Sequence, residues 1–80
     1  MNDAEIMADL TEIFHDLFAD DSIVLTPQTT ADDVEGWDSI KHISLIVAVE
    51  DRFGIHIGTS EIEKLNNVGD LAAAVGRKLA

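Results

Sequence analysis

Apolar residues recur along the first stretch of the chain at steps of three and four: Ile6, Leu10, Ile13, Phe14 and Leu17. That period predicts an amphipathic helix from about residue 3 to 18. Asn2 followed by Glu5 supplies the capping-box pattern for its start. Asp9, Glu12, His15 and Asp16 fall off the apolar row and are expected to be solvated. From Ile40 to Phe53 the pattern changes. At about 100° per residue, Leu45, Ile46, Val49 and Phe53 share one arc, while Ile40, Ile43 and Val47 share a narrower one on the opposite side. A surface helix shows one such stripe. Two stripes predict one face for the core and one for another use. Asp38-Ser39 offers side-chain oxygens to the unpaired N–H groups of the first turn, and Gly54 is placed to stop the helix.

The remaining segments are shorter. Ser60 with Glu63 reads as a capping box for a short helix from Glu61 to Leu65, and Asn66-Asn67 breaks it. Asn67 then caps a last helix whose inward row is Val68, Leu71, Val75 and Leu79. Gly76 costs that helix about 1 kcal/mol relative to alanine, and Arg77-Lys78 suits its negative end. Residues 19 to 38 form a long connection of a kind uncommon in compact domains unless functional or pinned down. Ile23, Leu25 and Val34 are the residues able to pin it. Ser22 to Thr26 and Ile55-His56-Ile57 have strand-like composition, so a two-strand α+β fold is an alternative. Four helices fit the whole pattern better.

Eighty residues, with 46% hydrophobic and 5% aromatic, make a single domain over 1–80 with an aliphatic core. Sixteen acidic against five basic residues give a formal net charge of −11. Nucleic acid and anionic membrane would repel such a chain, whereas basic protein surfaces would attract it. The absence of cysteine excludes a disulfide framework and any thiolate of the chain's own. No apolar run approaches the roughly 20 residues of a membrane span. The acidic start Met1-Asn2-Asp3-Ala4-Glu5 is unlike a signal peptide, so the cytoplasm is the expected location.

A serine nucleophile needs a base within reach and an oxyanion site. Ser39-x-x-His42 brings the two side chains near each other, but there is no Gly-x-Ser-x-Gly elbow. By helical angle His42 falls on the core-facing side, where a hydrogen bond to the preceding loop is the expected role. Asp32, Asp33, Glu35 and Asp38 suit diffuse association with a hard cation, but their spacing does not fit an EF-hand loop. His15, His42 and Glu61 lack zinc spacing, and no dedicated metal site is expected.

Gly36-Trp37-Asp38-Ser39-Ile40, followed by the apolar helix ending Glu50-Asp51-Arg52-Phe53-Gly54-Ile55, resembles the acyl carrier protein family. The resemblance runs from Ile6 to about Leu79. It implies an all-α four-helix bundle with a long loop between helices one and two and a short third helix. It also implies covalent 4′-phosphopantetheine on Ser39, with Asp38 beside the metal of the loading transferase. The chain would then be a monomeric carrier rather than an enzyme. Its partners would be a phosphopantetheinyl transferase and acyl- or aminoacyl-handling enzymes with basic surfaces. Docking falls to Ile40, Ile43 and Val47, with Glu50 and Asp51 supplying acidity. Lys41, His42 and Ser44 stand where fatty-acid-type members include acidic residues, and typical members of that type lack Trp37. These departures look more like discrete carriers of polyketide, secondary-metabolite or amino-acid-activating pathways. Two rivals remain: the same fold carrying an aminoacyl or peptidyl group, and an unmodified acidic docking domain in which Ser39 is only a cap.

Overall fold

The computed structural model describes residues 2–79. Four helices follow one another: α1 (Asp3–Phe18), α2 (Ser39–Phe53), α3 (Thr59–Glu63) and α4 (Val68–Leu79). No strand occurs among the described residues, so the two-strand alternative fails. Neither Ser22–Thr26 nor residues 55–57 finds a strand partner. The former is held to α1 through the Ile23 carbonyl, and the latter turns the chain into α3.

The start of α1 is capped as its sequence predicts. The Glu5 N–H donates to Asn2 Oδ1 at 2.9 Å, and the Asn2 N–H donates to Glu5 Oε1 at 3.1 Å. Ile6, Leu10, Ile13 and Phe14 are buried, and Leu17 packs against the core from its edge. Leu45, Ile46 and Val49 of α2 meet them. Val68, Leu71, Ala74 and Val75 of α4 complete the core, together with Val34 and Ile57.

Several expectations need correction. Asp9 and Glu12 are not merely solvated, because Arg52 Nη2 donates to both and ties α2 to α1. His15 Nε2 donates to the Ile23 carbonyl at 2.8 Å and fastens the start of the long connection. Phe53 is only partly buried, at the rim of the core. Leu79 keeps the angular position of the inward row but is 37% exposed, since it lies in the last turn of α4. Helix α3 begins at Thr59, two residues earlier than its Ser60 cap would give. The reason is that Glu61, not Glu63, reaches back, accepting the Gly58 N–H at 3.2 Å. Lys78 beside Glu61, together with that N–H, holds the Glu61 carboxyl below its ordinary range.

The long connection is pinned mainly by backbone. Pro27 sits second in a turn closed by the Thr29 N–H donating to the Thr26 carbonyl, a position its fixed φ favours. The carbonyls of this turn then receive the first N–H groups of α4: Val68 N–H to Thr29 O at 2.8 Å and Gly69 N–H to Pro27 O at 2.9 Å. A Cβ at Gly69 would stand 2.8 Å from Pro27 O, so no side chain fits without separating the two. Beyond the turn, a 3-10 segment (Ala31–Asp33) delivers Val34 to the core.

The two helical glycines should therefore respond oppositely to alanine. Gly69→Ala is expected to destabilise the fold by about 1–3 kcal/mol through overpacking. Gly76→Ala, whose added Cβ would make an ordinary 3.8 Å contact with Ile6, should stabilise it by roughly 0.5–1 kcal/mol. Chemical denaturation of both variants measures the pair. Equal midpoints would show that the loop is not held by this approach.

Candidate functional site

The start of α2 divides two tasks between neighbours. Asp38 adopts an extended backbone, and its Oδ1 accepts the Lys41 N–H at 2.9 Å. Asp38 is thus the cap, and Ser39 is the first residue inside the helix, where it is exposed. The reading of Ser39 as a cap does not match this geometry. Ile40, Ile43 and Val47 continue along the outer face at 75%, 66% and 51% exposure. Leu45 and Val49, pointing the other way, are fully buried. The two-stripe pattern thus corresponds to two real faces, one buried and one open.

An open cleft of about 520 Å³ lies beside Ser39. Trp37, Asp38, His42 and Ile43 form one wall, and Leu65, Asn66, Asn67 and Leu71 form the other. The second wall was not foreseen from the sequence. Asn66-Asn67 reads there as a helix breaker, and only the chain reversal through α3 brings it opposite Ser39. Asn67 does cap α4 as expected, its Oδ1 accepting the Asp70 N–H at 2.8 Å.

The basic residues that follow Ser39 are both engaged. Lys41 turns back toward α1, where Nζ donates to the Leu17 carbonyl at 3.3 Å and sits 5.9 Å above the Phe18 ring centroid. Trp37 packs edge-on against Phe14, with centroids 5.2 Å apart. Its Nε1–H donates to His42 Nδ1 at 3.3 Å. His42 is therefore bonded to the preceding loop, as its helical position predicts.

Of the two acidic residues expected to face partners, Asp51 is exposed, whereas Glu50 is half-buried. Glu50 Oε2 accepts the Ile57 N–H at 2.8 Å and lies 3.1 Å from His56 Nδ1. Its first task is to hold the turn after α2. Among the described residues no group of three or more His, Asp or Glu side chains is placed to hold a metal ion.

A family model described as "Phosphopantetheine attachment site" matches residues 5–75. An acyl carrier protein from Thermosynechococcus vestitus is 33% identical over all of this chain and 99% of its own length. The chain belongs to the acyl carrier protein family. Another relative, named acyl carrier protein MbtL, from a Mycobacterium species, is 33% identical over 98% of this chain and 88% of its own. Among solved structures, the holo acyl carrier protein of Geobacter metallireducens superposes with a TM-score of 0.87 at 49% identity. That match covers 91% of this chain and 84% of the other. The Thermotoga maritima acyl carrier protein gives 0.85 at 32% identity, over 99% and 92% of the two chains.

The four-helix fold is thus that of acyl carrier proteins. Membership makes the chain a carrier on which other enzymes act, and its cofactor a covalently attached 4′-phosphopantetheine. Phosphopantetheinyl transferases and acyl-handling enzymes are the general partners of such carriers. The residues beside Ser39 fit that group. A mainly apolar cleft with amide and imidazole edges suits an arm that is itself part alkyl and part amide. No helix among the described residues is long and apolar enough to cross a membrane.

Because Asp38 holds the cap, the two neighbours should differ in stability. Asp38→Ala is expected to cost about 1 kcal/mol, and Ser39→Ala no more than about 0.5 kcal/mol, as at other surface positions. Urea midpoints measure both. A larger loss at Ser39 than at Asp38 would contradict the division of labour.

Proposed function

We propose that Ser39 carries the 4′-phosphopantetheine as a phosphodiester on its Oγ, and that Asp38 serves its loading. The observation that carries this reading is the assignment of the cap to Asp38. The exposed Ser39 hydroxyl has no capping task, and it opens onto a cleft able to receive the arm. When bound, the group supplies a thiol that holds cargo as a thioester, which the cysteine-free chain cannot do itself. The chain's own residues do the rest. Asp38 fixes the first turn, Trp37 and Leu65 border the arm's path, and Ile40, Ile43 and Val47 present an apolar face to partners.

Such exposed apolar side chains, clustered beside the attachment point, have the character of a docking surface. Asp51 adds exposed acidity near its far end, and a net charge of −11 steers the approach of basic partners. The whole of 1–80 acts as one carrier domain and as a monomer, working in the cytoplasm. The cargo we favour is acyl, in line with the names of the relatives. Lys41 and His42 beside Ser39 favour polyketide or other secondary-metabolite synthesis over housekeeping fatty-acid synthesis.

Incubation with coenzyme A, magnesium and a phosphopantetheinyl transferase tests the assignment by intact mass. Wild type should gain one phosphopantetheine, Ser39→Ala none, and Asp38→Ala should load more slowly. An alanine variant that still gains the mass would move the site elsewhere.

The docking face has a separate signature. Ile43→Asp or Val47→Asp should shift stability by no more than about 0.5 kcal/mol yet block loading or transfer. Leu45→Ala should cost roughly 2–5 kcal/mol by leaving a cavity. Thermal melts beside the loading assay decide it. Unfolding by Ile43→Asp as severe as by Leu45→Ala would remove the docking surface from consideration.

A further inference from the structure

The cleft beside Ser39 holds few side chains able to donate a hydrogen bond to an anion on that residue. Lys41, the nearest cation in sequence, is committed to the Leu17 carbonyl and the Phe18 ring. Trp37 Nε1–H is committed to His42. Asn66 and Asn67 belong to the opposite wall. His42 remains. It stands three residues after Ser39, a spacing that brings helical Cβ atoms to about 5–6 Å on one side of the helix. Both residues line the cleft.

The Trp37 contact fixes what His42 can do. Indole Nε1–H is only a donor, so Nδ1 must accept, and the neutral ring carries its proton on Nε2. The rings lie nearly parallel, 19° apart with centroids at 6.1 Å, which limits rotation of the imidazole. Among the described residues the side chain of His42 makes one hydrogen bond, at Nδ1. No buried side-chain nitrogen there lacks a partner, so Nε2–H meets solvent. A donor of fixed orientation, free to bind and one turn from Ser39, is an uncommon expense in a surface helix unless something accepts from it.

We propose that His42, oriented by Trp37, is a positioning residue that donates Nε2–H to a phosphodiester on Ser39 and so directs the arm along the cleft. The inference rests on Ser39 being the attachment residue. It assigns a use to the Trp37–His42 pair that neither the fold nor the capping of α2 requires. Protonation at Nδ1 would break the Trp37 bond while leaving Nε2–H in place, so the two contacts respond differently to pH. The other polar and charged groups around His42 are Asp38, which caps its helix, Lys41 on that helix, Trp37 from the loop, and Asn66 and Asn67 across the cleft. Phe14 and Phe18 of α1 back the indole.

Phosphorus NMR of the loaded protein between pH 5 and 8 tests the proposal. A phosphodiester stays singly charged across that range, so any movement of its resonance reports a neighbour. In wild type the resonance should follow a single titration. In His42→Phe and in His42→Gln the titration should vanish, whereas His15→Gln and His56→Gln, at other places in the fold, should retain it. Trp37→Phe frees the imidazole to turn and should reduce the amplitude of the response. Circular dichroism of each variant establishes that it is folded, and the two His42 variants guard against a single packing failure.

A flat resonance in loaded wild type would overturn the proposal. So would a titration that survives both His42 substitutions, and an unchanged amplitude in Trp37→Phe would overturn the orienting role of the indole. Intact mass separates the levels. A chain that gains no phosphopantetheine at Ser39 refutes the attachment site and this inference together, whereas a loaded chain with a flat resonance refutes only the role of His42.

Discussion

The first two N–H groups of α4 and the carbonyls of the Pro27 turn form the contact on which the rest depends. A helix start leaves its N–H groups unpaired, and a long connection leaves its carbonyls in the same position. Here each satisfies the other, at 2.8 and 2.9 Å. The bond lengths require backbone to approach backbone, and only glycine at position 69 permits that. The consequence reaches beyond α4. With the turn fixed, Thr29 is buried, Val34 enters the core, and the chain arrives at Trp37, Asp38 and Ser39 from a defined direction. A connection of twenty residues is thereby as well placed as a helix would be.

Helix α2 shows the second constraint, which is geometric. Leu45, Ile46 and Val49 occupy the core side, and no further layer among the described residues covers the opposite side. Apolar residues there must remain exposed, and Ile40, Ile43 and Val47 do. Their presence lowers solubility without aiding the core, which supports the docking role proposed for them. The ion pairs from Arg52 to Asp9 and Glu12 join α2 to α1 at its other end. Being exposed, they contribute little to stability.

The sequence is most legible where period alone decides. The buried rows of α1 and α2, the exposed row of α2, the stop at Gly54 and the cap at Asn67 all follow from spacing and residue type. The family itself follows from the residues around Ser39. What spacing does not disclose is which of several chemically suitable partners a polar group takes. Glu61 and Glu63 can both close a capping box, and only the backbone entering from Ile57 selects Glu61. Asp9 and Glu12 look like solvated acids until Arg52, forty residues on, is brought beside them. Glu50 reads as a free surface charge because its Ile57 partner lies beyond a chain reversal. The far wall of the cleft was hidden for the same reason. Asn66-Asn67 breaks a helix in sequence, and its place opposite Ser39 exists only once α3 and α4 have packed.

The order of Asp38 and Ser39 has a physical logic of its own. A capping side chain folds over the helix start to accept an N–H from the first turn, so its oxygen is engaged and turned inward. The hydroxyl proposed for attachment needs the opposite, an outward bearing on backbone that does not move. One residue cannot meet both demands. Placing the carboxylate at the cap and the hydroxyl one residue later gives each its position, and the first turn is held by the neighbour of the residue it presents. Reversing the pair would turn the hydroxyl into the cap and leave the carboxylate outermost. The arrangement also sets an acidic group beside a prospective anion, an unfavourable pairing that solvent screens because Asp38 and Ser39 are both exposed. Presentation of Ser39 therefore follows from the way α2 begins.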